Sequence, residues 1–227
     1  MGVNGKMGVN GMIRACIFDL DGTLTDTIES LTYSVGETLK EMGLPAITKE
    51  QCQSFVGNGA RVLIDRAIRA AGDVSGLRLE EAMEIYGRIF DENCTYHVIP
   101  YEGIPELLEE LRKRQVKLAV LSNKPHRQTV KVAETIFGKG IFDVVWGQQG
   151  RIPRKPSPEG IYAILKELGV ERDECIYVGD SEVDIAAGKN AMMQTVSVAW
   201  GFRTEEELKS EGAGCLIHRP EELLGFF

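Results

Sequence analysis

A chain of 227 residues, 43% hydrophobic and 26% charged, is long enough to bury a sizeable core, which excludes the disordered, collagen-like and coiled-coil classes. Its 34 acidic and 26 basic residues leave a net charge of −8, a surface that repels nucleic-acid backbones. Five widely spaced cysteines without a C-x-x-C pair leave a disulfide framework or zinc site unsupported and suit a reducing, cytoplasmic setting. No apolar run approaches the roughly 18 residues of a membrane span, so neither a membrane nor a nucleic acid is expected as partner.

Residues 1–11, MGVNGKMGVNG, repeat one five-residue unit and lack an apolar stretch. They predict a flexible leader outside the fold, neither a signal peptide nor, with Lys6, a myristoylation site. Ala15 to Phe18 is an apolar run entering Asp19 and predicts a buried strand, followed by a turn at Gly22 and Thr23. Ile28, Leu31, Val35, Leu39 and Met42 recur at helical spacing, with Gly43 as a stop. Helical patterns continue to about Tyr96, including Ile64, Ala67, Ile68 and Ala71, then a helix over about 77–94.

Beyond Pro100 the pattern alternates. A helix with Ile104, Leu107, Leu108 and Leu111 precedes a strand from Val116 to Leu121 that ends at Ser122. A helix over 125–137, a strand over 142–146 and a helix with Ile161, Ile164, Leu165 and Leu168 follow. Ser157 is expected to cap that last helix. A strand from Cys175 to Val178, a helix over 183–190 and a strand over 195–199 complete the series. Strand–helix alternation implies an α/β fold with a Rossmann-like parallel sheet, and near-continuous apolar strands imply cover on both faces. Residues 26–97 break the rhythm. They read as an inserted helical cap, leaving 12–25 and 98–227 as the catalytic core.

Three apolar strands each deliver polar residues at their C-terminal ends: Asp19 and Asp21, Ser122 and Asn123, Asp180 and Asp184. Ligands of open α/β sheets bind beyond those ends. Up to four carboxylates gathered there repel one another and require a compensating cation. Hard carboxylate oxygens, with no His or Cys cluster, favour Mg²⁺ over zinc. Lys155, stiffened by Pro156 and Pro158, is the expected protein cation, ahead of Arg151, Arg154 and Lys124.

Four segments in order, Phe18-Asp19-Leu20-Asp21-Gly22-Thr23-Leu24, Leu121-Ser122-Asn123-Lys124, Lys155-Pro156 and Gly179-Asp180-Ser181-Glu182-Val183-Asp184, resemble the motifs of the haloacid dehalogenase superfamily. The helical insertion, with Phe55 to Ala60 and Ser122-Asn123-Lys124-Pro125, is similar to the phosphoglycolate phosphatase branch. The resemblance implies hydrolysis of a phosphate monoester of a small metabolite through an aspartyl-phosphate. Asp19 would be the nucleophile, and Asp21 the acid and then the base. Asp19, the Asp21 carbonyl and Asp180 would hold Mg²⁺, with Asp184 behind them or an occasional ligand. Thr23, Ser122, the Asn123 amide and Lys155 would contact phosphate.

The cap is expected to set the substrate. Gly57, Asn58 and Gly59 open a helix whose first turn carries Arg61, a corner suited to a carboxylate. Hinges at 25–27 and 99–103 would let the cap open and close. A phosphosugar mutase, a phosphonate hydrolase, which would need a cap lysine as Schiff-base former although nothing local marks Lys40 or Lys49 as activated, and a phospho-accepting regulatory domain are the rivals. Monomer and homodimer both remain open. Locally, Ser122 and Asn123 also suit an ordinary turn, Asp180 an N-cap, and Asp184 a first-turn helix acid. His97, His126 and His218 read as surface residues, and Trp146 as core.

Overall fold

The structure, a computed structural model, describes residues 12–150 and 152–227. The expected leader, residues 1–11, and Arg151 lie outside them. β1 (Ala15–Phe18) is followed by β2 (Thr25–Asp26), then by α1 (Ile28–Glu41), α2 (Lys49–Phe55), α3 (Ala60–Ala70) and α4 (Leu79–Asn93). Then come β3 (Ile99–Pro100), α5 (Ile104–Lys113), β4 (Lys117–Pro125), α6 (His126–Phe137), β5 (Val144–Gln148) and α7 (Glu159–Leu168). β6 (Cys175–Gly179), α8 (Glu182–Asn190), β7 (Gln194–Val198), α9 (Glu205–Ser210) and β8 (Leu216–Ile217) follow, and a 3-10 helix over Pro220–Phe226 comes last.

Six strands form a parallel sheet in the order β5-β4-β1-β6-β7-β8. β1 lies at its centre, with Ala15 opposite Lys117 on one side and Cys175 on the other. A four-residue strand holds that position because each of its residues is fully or almost fully buried. Alternation sends Cys16 and Phe18 to the face covered by Ile104, Leu107, Leu108 and Leu111 of α5. Ala15 and Ile17 go to the opposite face, under Ile161, Ile164 and Leu165 of α7. The α/β expectation therefore holds, with helices on both faces.

The four helices between β2 and β3 pack on one another, α1 against α4 and α2, and α3 against α4. Their apolar side chains, among them Leu31, Val35, Leu63, Ile68, Tyr86 and Phe90, run into the same core as Phe18 and Val120. Two-residue strands β2 and β3 pair antiparallel where the chain enters and leaves this helical region, Thr25 opposite Pro100 and Asp26 opposite Ile99. The sequence patterns gave no sign of this pair, since two residues show no periodicity. Ser157 does not cap α7; that helix begins after Pro158 without a side-chain cap.

Candidate active site

The three central strand ends meet as expected. Asp19 leaves β1 with its amide hydrogen-bonded to Val178 O of β6 at 2.8 Å. Its Oδ1 accepts from the Leu20 amide at 2.7 Å and lies 2.9 Å from Lys155 Nζ. The following turn folds back, with Leu24 N and Thr25 N both bonded to Leu20 O. Gly22 in that turn has φ +85°. A side-chain carbon there would fall 2.7 Å from Asp180 Cγ, so only glycine lets the two loops touch.

Asp180 directly follows β6 and is 1% exposed. Its Oδ1 accepts from Thr23 Oγ1 at 2.9 Å and its Oδ2 from the Phe202 amide at 2.8 Å. Thr23 is thus spent on Asp180, where the sequence placed it on substrate. Asp180 is not an N-cap. That role falls to Ser181, in a capping box closed by Asp184. Both Asp184 oxygens are occupied: Oδ1 by Lys155 Nζ at 2.8 Å and Tyr177 Oη at 2.7 Å, Oδ2 by Ser181 N at 3.2 Å and Ser181 Oγ.

Lys155 therefore sits between Asp19 and Asp184, its side chain 2% exposed. Asn123, at the end of β4, holds it there. Asn123 Oδ1 accepts from Lys155 N at 2.9 Å, and Nδ2 donates to Lys155 O at 3.0 Å. The same Nδ2 donates to Gly57 O of the α2–α3 loop at 2.9 Å, which ties the site to the helical region. Ser122 accepts from Lys124 N at 3.2 Å and lines the cavity beside Asp19.

Burial acts on every one of these charges. It pushes the Asp19 carboxyl up, and although Lys155 pulls it down, Asp184, Asp180 and Asp21 add to the rise, leaving it at about 8. Burial and then Asp184 push Asp180 up to about 7. Burial also opposes the Asp184 charge, but Lys155 outweighs it and holds that carboxyl low. For Lys155, burial is outweighed by Asp184 and Asp19, which hold its ammonium above the ordinary lysine range. One ammonium serves two carboxylates and favours Asp184. Asp19 and Asp180 are left short of positive charge.

Oxygens of Asp19, Asp180 and Asp184 lie within 4.8 Å of one another. With Asp184 already filled by hydrogen donors, Asp19 and Asp180 are the carboxylates with capacity for a cation. An all-oxygen donor set of this kind fits a hard divalent ion such as Mg²⁺.

A cavity opens from these strand ends toward the four helices. Leu31, Leu63, Tyr86 and Phe90 form its apolar side; Asp21, Lys124 and Arg203 add charge. Gly57 and Gly59 line it, but Asn58 and Arg61 do not. Arg61 corrects the expected carboxylate corner: its guanidinium points to solvent and pairs with Glu80 of α4. A first-turn arginine carries no local signal of a partner on another helix. Arg203 was not foreseen, and only its distance of five residues from the end of β7 marks it. Trp200 Nε1 donates to Thr23 O at 3.0 Å, which places it behind the Asp19 loop. His126 is half-buried and accepts from Gly147 N at 3.3 Å, so it is less exposed than expected.

Residues 16–198 match the model of the haloacid dehalogenase-like hydrolase family. The phosphoglycolate phosphatase of Aquifex aeolicus is 32% identical over 212 residues, 93% of this chain and 95% of that protein. That of Pectobacterium atrosepticum is 31% identical over 216 residues, 93% of this chain and 91% of that protein. Among solved structures, one from Lactobacillus delbrueckii subsp. bulgaricus superposes with a TM-score of 0.87 at 32% identity, covering 94% of this chain and 97% of that one. CbbY from Rhodobacter sphaeroides, crystallised with phosphate, superposes with a TM-score of 0.79 at 25% identity, covering 93% and 96%.

Proposed function

The chain belongs to the haloacid dehalogenase-like hydrolases, and from that premise we propose that it hydrolyses a small organic phosphate monoester, phosphoglycolate first among candidates, through a phosphorylated Asp19. The observation that carries this reading is the meeting of Asp19 and Asp180, beyond the ends of β1 and β6, with Lys155 of the β5–α7 loop, under a cavity that opens away from the sheet.

Asp19 Oδ attacks phosphorus and the bond to the ester oxygen breaks. Asp21, two residues on and also lining the cavity, gives its proton to that oxygen. It then takes a proton from the water that cleaves the acyl phosphate, and inorganic phosphate leaves. The Ser122 hydroxyl and the Asn123 amide face the phosphate. Lys155 fixes the Asp19 carboxylate and adds positive charge beside the phosphoryl oxygens. Asp184 holds Lys155 and orients the start of α8.

Asp19, Asp180 and the Asp21 carbonyl would hold Mg²⁺, which when bound supplies positive charge against the phosphoryl oxygens. General acid catalysis contributes about 10²–10⁴, whereas phosphate-ester enzymes reach accelerations of order 10²¹. In-line placement and charge must provide most of the remainder. The segments 25–27 and 99–103 serve as hinges between a core of 12–25 and 98–227 and a cap of 26–97, in a cytoplasmic enzyme.

The test is phosphate release over a panel of small esters, with Mg²⁺ and with chelator. Asp19→Asn is expected to lower turnover by at least about 10⁴-fold with the far-ultraviolet circular dichroism unchanged. Mass spectrometry of the trapped intermediate is expected to place the phosphoryl group on Asp19; its appearance on another residue refutes the mechanism. An isomerised product in place of free phosphate would indicate the mutase.

A further inference from the structure

Two cationic side chains line the cavity among the described residues, Lys124 and Arg203. Arg203 is already committed. Its Nε donates to Glu182 at 2.9 Å, and its Nη2 to Val56 O at 2.8 Å. Lys124 is different. It stands at the end of β4 with its side chain 2% exposed, and its Nζ meets Asp21 Oδ1 at 2.6 Å. The ring of Phe90, from α4, lies 5.1 Å from that ammonium. An ammonium carries three donors. Asp21 takes one and an aromatic face satisfies charge without accepting a directed bond. Two donors of a buried cation thus remain at the wall of a cavity whose other side is apolar. Tyr86, also buried there, adds a hydroxyl.

We propose that Lys124 is the specificity-determining residue of this site: its ammonium binds a second anionic group, a carboxylate, carried by the phosphate ester. This rests on the hydrolase reading above. The geometry limits the distance between the two anionic groups. Lys124 touches the carboxylate that serves the leaving oxygen, so the substrate carboxylate must lie within an ion pair's reach of the ester oxygen. Only a short carbon frame meets that condition. As the substrate carboxylate takes Lys124, Asp21 is released from its ion pair to face the leaving oxygen. The apolar walls strengthen the charge pair by excluding water. An ester of the same size without the carboxylate leaves Lys124 on Asp21 and forgoes this contact.

The experiment compares 2-phosphoglycolate with ethyl phosphate. Binding is measured by calorimetry on Asp19→Asn, which cannot turn over, with and without Lys124→Met; kcat/KM is measured on the wild type and on Lys124→Met. A charge-assisted contact predicts that the wild-type preference for phosphoglycolate exceeds about 10-fold and that Lys124→Met lowers it about 10- to 100-fold. Equal losses on both ligands overturn the proposal. So does an Asp19→Asn protein that binds the two alike, an outcome that stands even if Lys124→Met does not fold. If the wild type hydrolyses neither ester but Asp19→Asn still discriminates through Lys124, the hydrolase reading fails and the binding role of Lys124 stands.

Discussion

Lys155 links Asp19 and Asp184 through one ammonium at 2.9 and 2.8 Å, and that single contact decides which carboxylate is compensated. Removing it leaves two buried anions facing each other. Lys155→Met is expected to destabilise the protein by about 3–5 kcal/mol in urea unfolding. Adding Asp184→Asn is expected to cost less than the sum of the single changes, with a coupling of about 0.5–3 kcal/mol, because the second change removes one of the stranded charges. Additive effects would mean that the pair is not coupled. The residues at strand ends were legible in the sequence, since each follows an apolar run and the sheet brings such ends together. Asp19, Ser122, Asn123 and Asp180 fall into this group; Lys155, in the β5–α7 loop, was marked instead by the prolines beside it and by the family resemblance. Side-chain choices made across long sequence separations were not legible. Arg61 turns to Glu80 on another helix, Thr23 to Asp180, and Lys124, a mere rival of Lys155 in the sequence, to Asp21 and Phe90.

Between elements, the same limit applies in another form. Long amphipathic helices such as α1 and α5 were predictable from periodicity, and each buries the side chains that define its stripe. β4 runs past the predicted end, to Pro125, because Pro125 pairs with Gln148 of β5 after an irregularity that no local pattern encodes. The contact between the β7–α9 loop and α2 is of this non-local kind. Arg203 reaches carbonyls at the C-terminal end of α2, Val56 O at 2.8 Å and Gln53 O at 3.4 Å, where the helix dipole is negative. Gln53 Nε2 returns a bond to Phe202 O at 3.0 Å. This clasp and the Asn123 bond to Gly57 hold the helices over the site. Arg203→Ala is expected to speed amide exchange in residues 49–59 about 10- to 100-fold, the equivalent of one charge-assisted bond, while β1 and β4 exchange unchanged. Uniform acceleration across the chain would mean that Arg203 supports global stability instead of this junction.

At the scale of the whole molecule, an acidic protein with a net charge of −8 must bind an anion. The cavity does not reverse that field by itself. Lys124, Lys155 and Arg203 face Asp19, Asp21, Asp180 and Asp184, and Arg203 is further offset by Glu182. A divalent cation between Asp19 and Asp180 would cancel the excess negative charge, at the place where burial has raised both carboxyls. A raised folded pKa means that ionisation opposes folding as pH rises through the interval above the ordinary aspartate value. At pH 8 without metal, Asp180 is therefore a liability, and Asp180→Asn is expected to be no less stable than wild type in chelator. Mg²⁺ at about 100 times its dissociation constant would add roughly 2.7 kcal/mol, which for a chain of this size raises the unfolding temperature by about 5–10 °C. Asp180→Asn should lose most of that rise. Scanning calorimetry of both proteins, with Mg²⁺ and with chelator, decides the matter: a full Mg²⁺ shift in the variant would place the ion elsewhere.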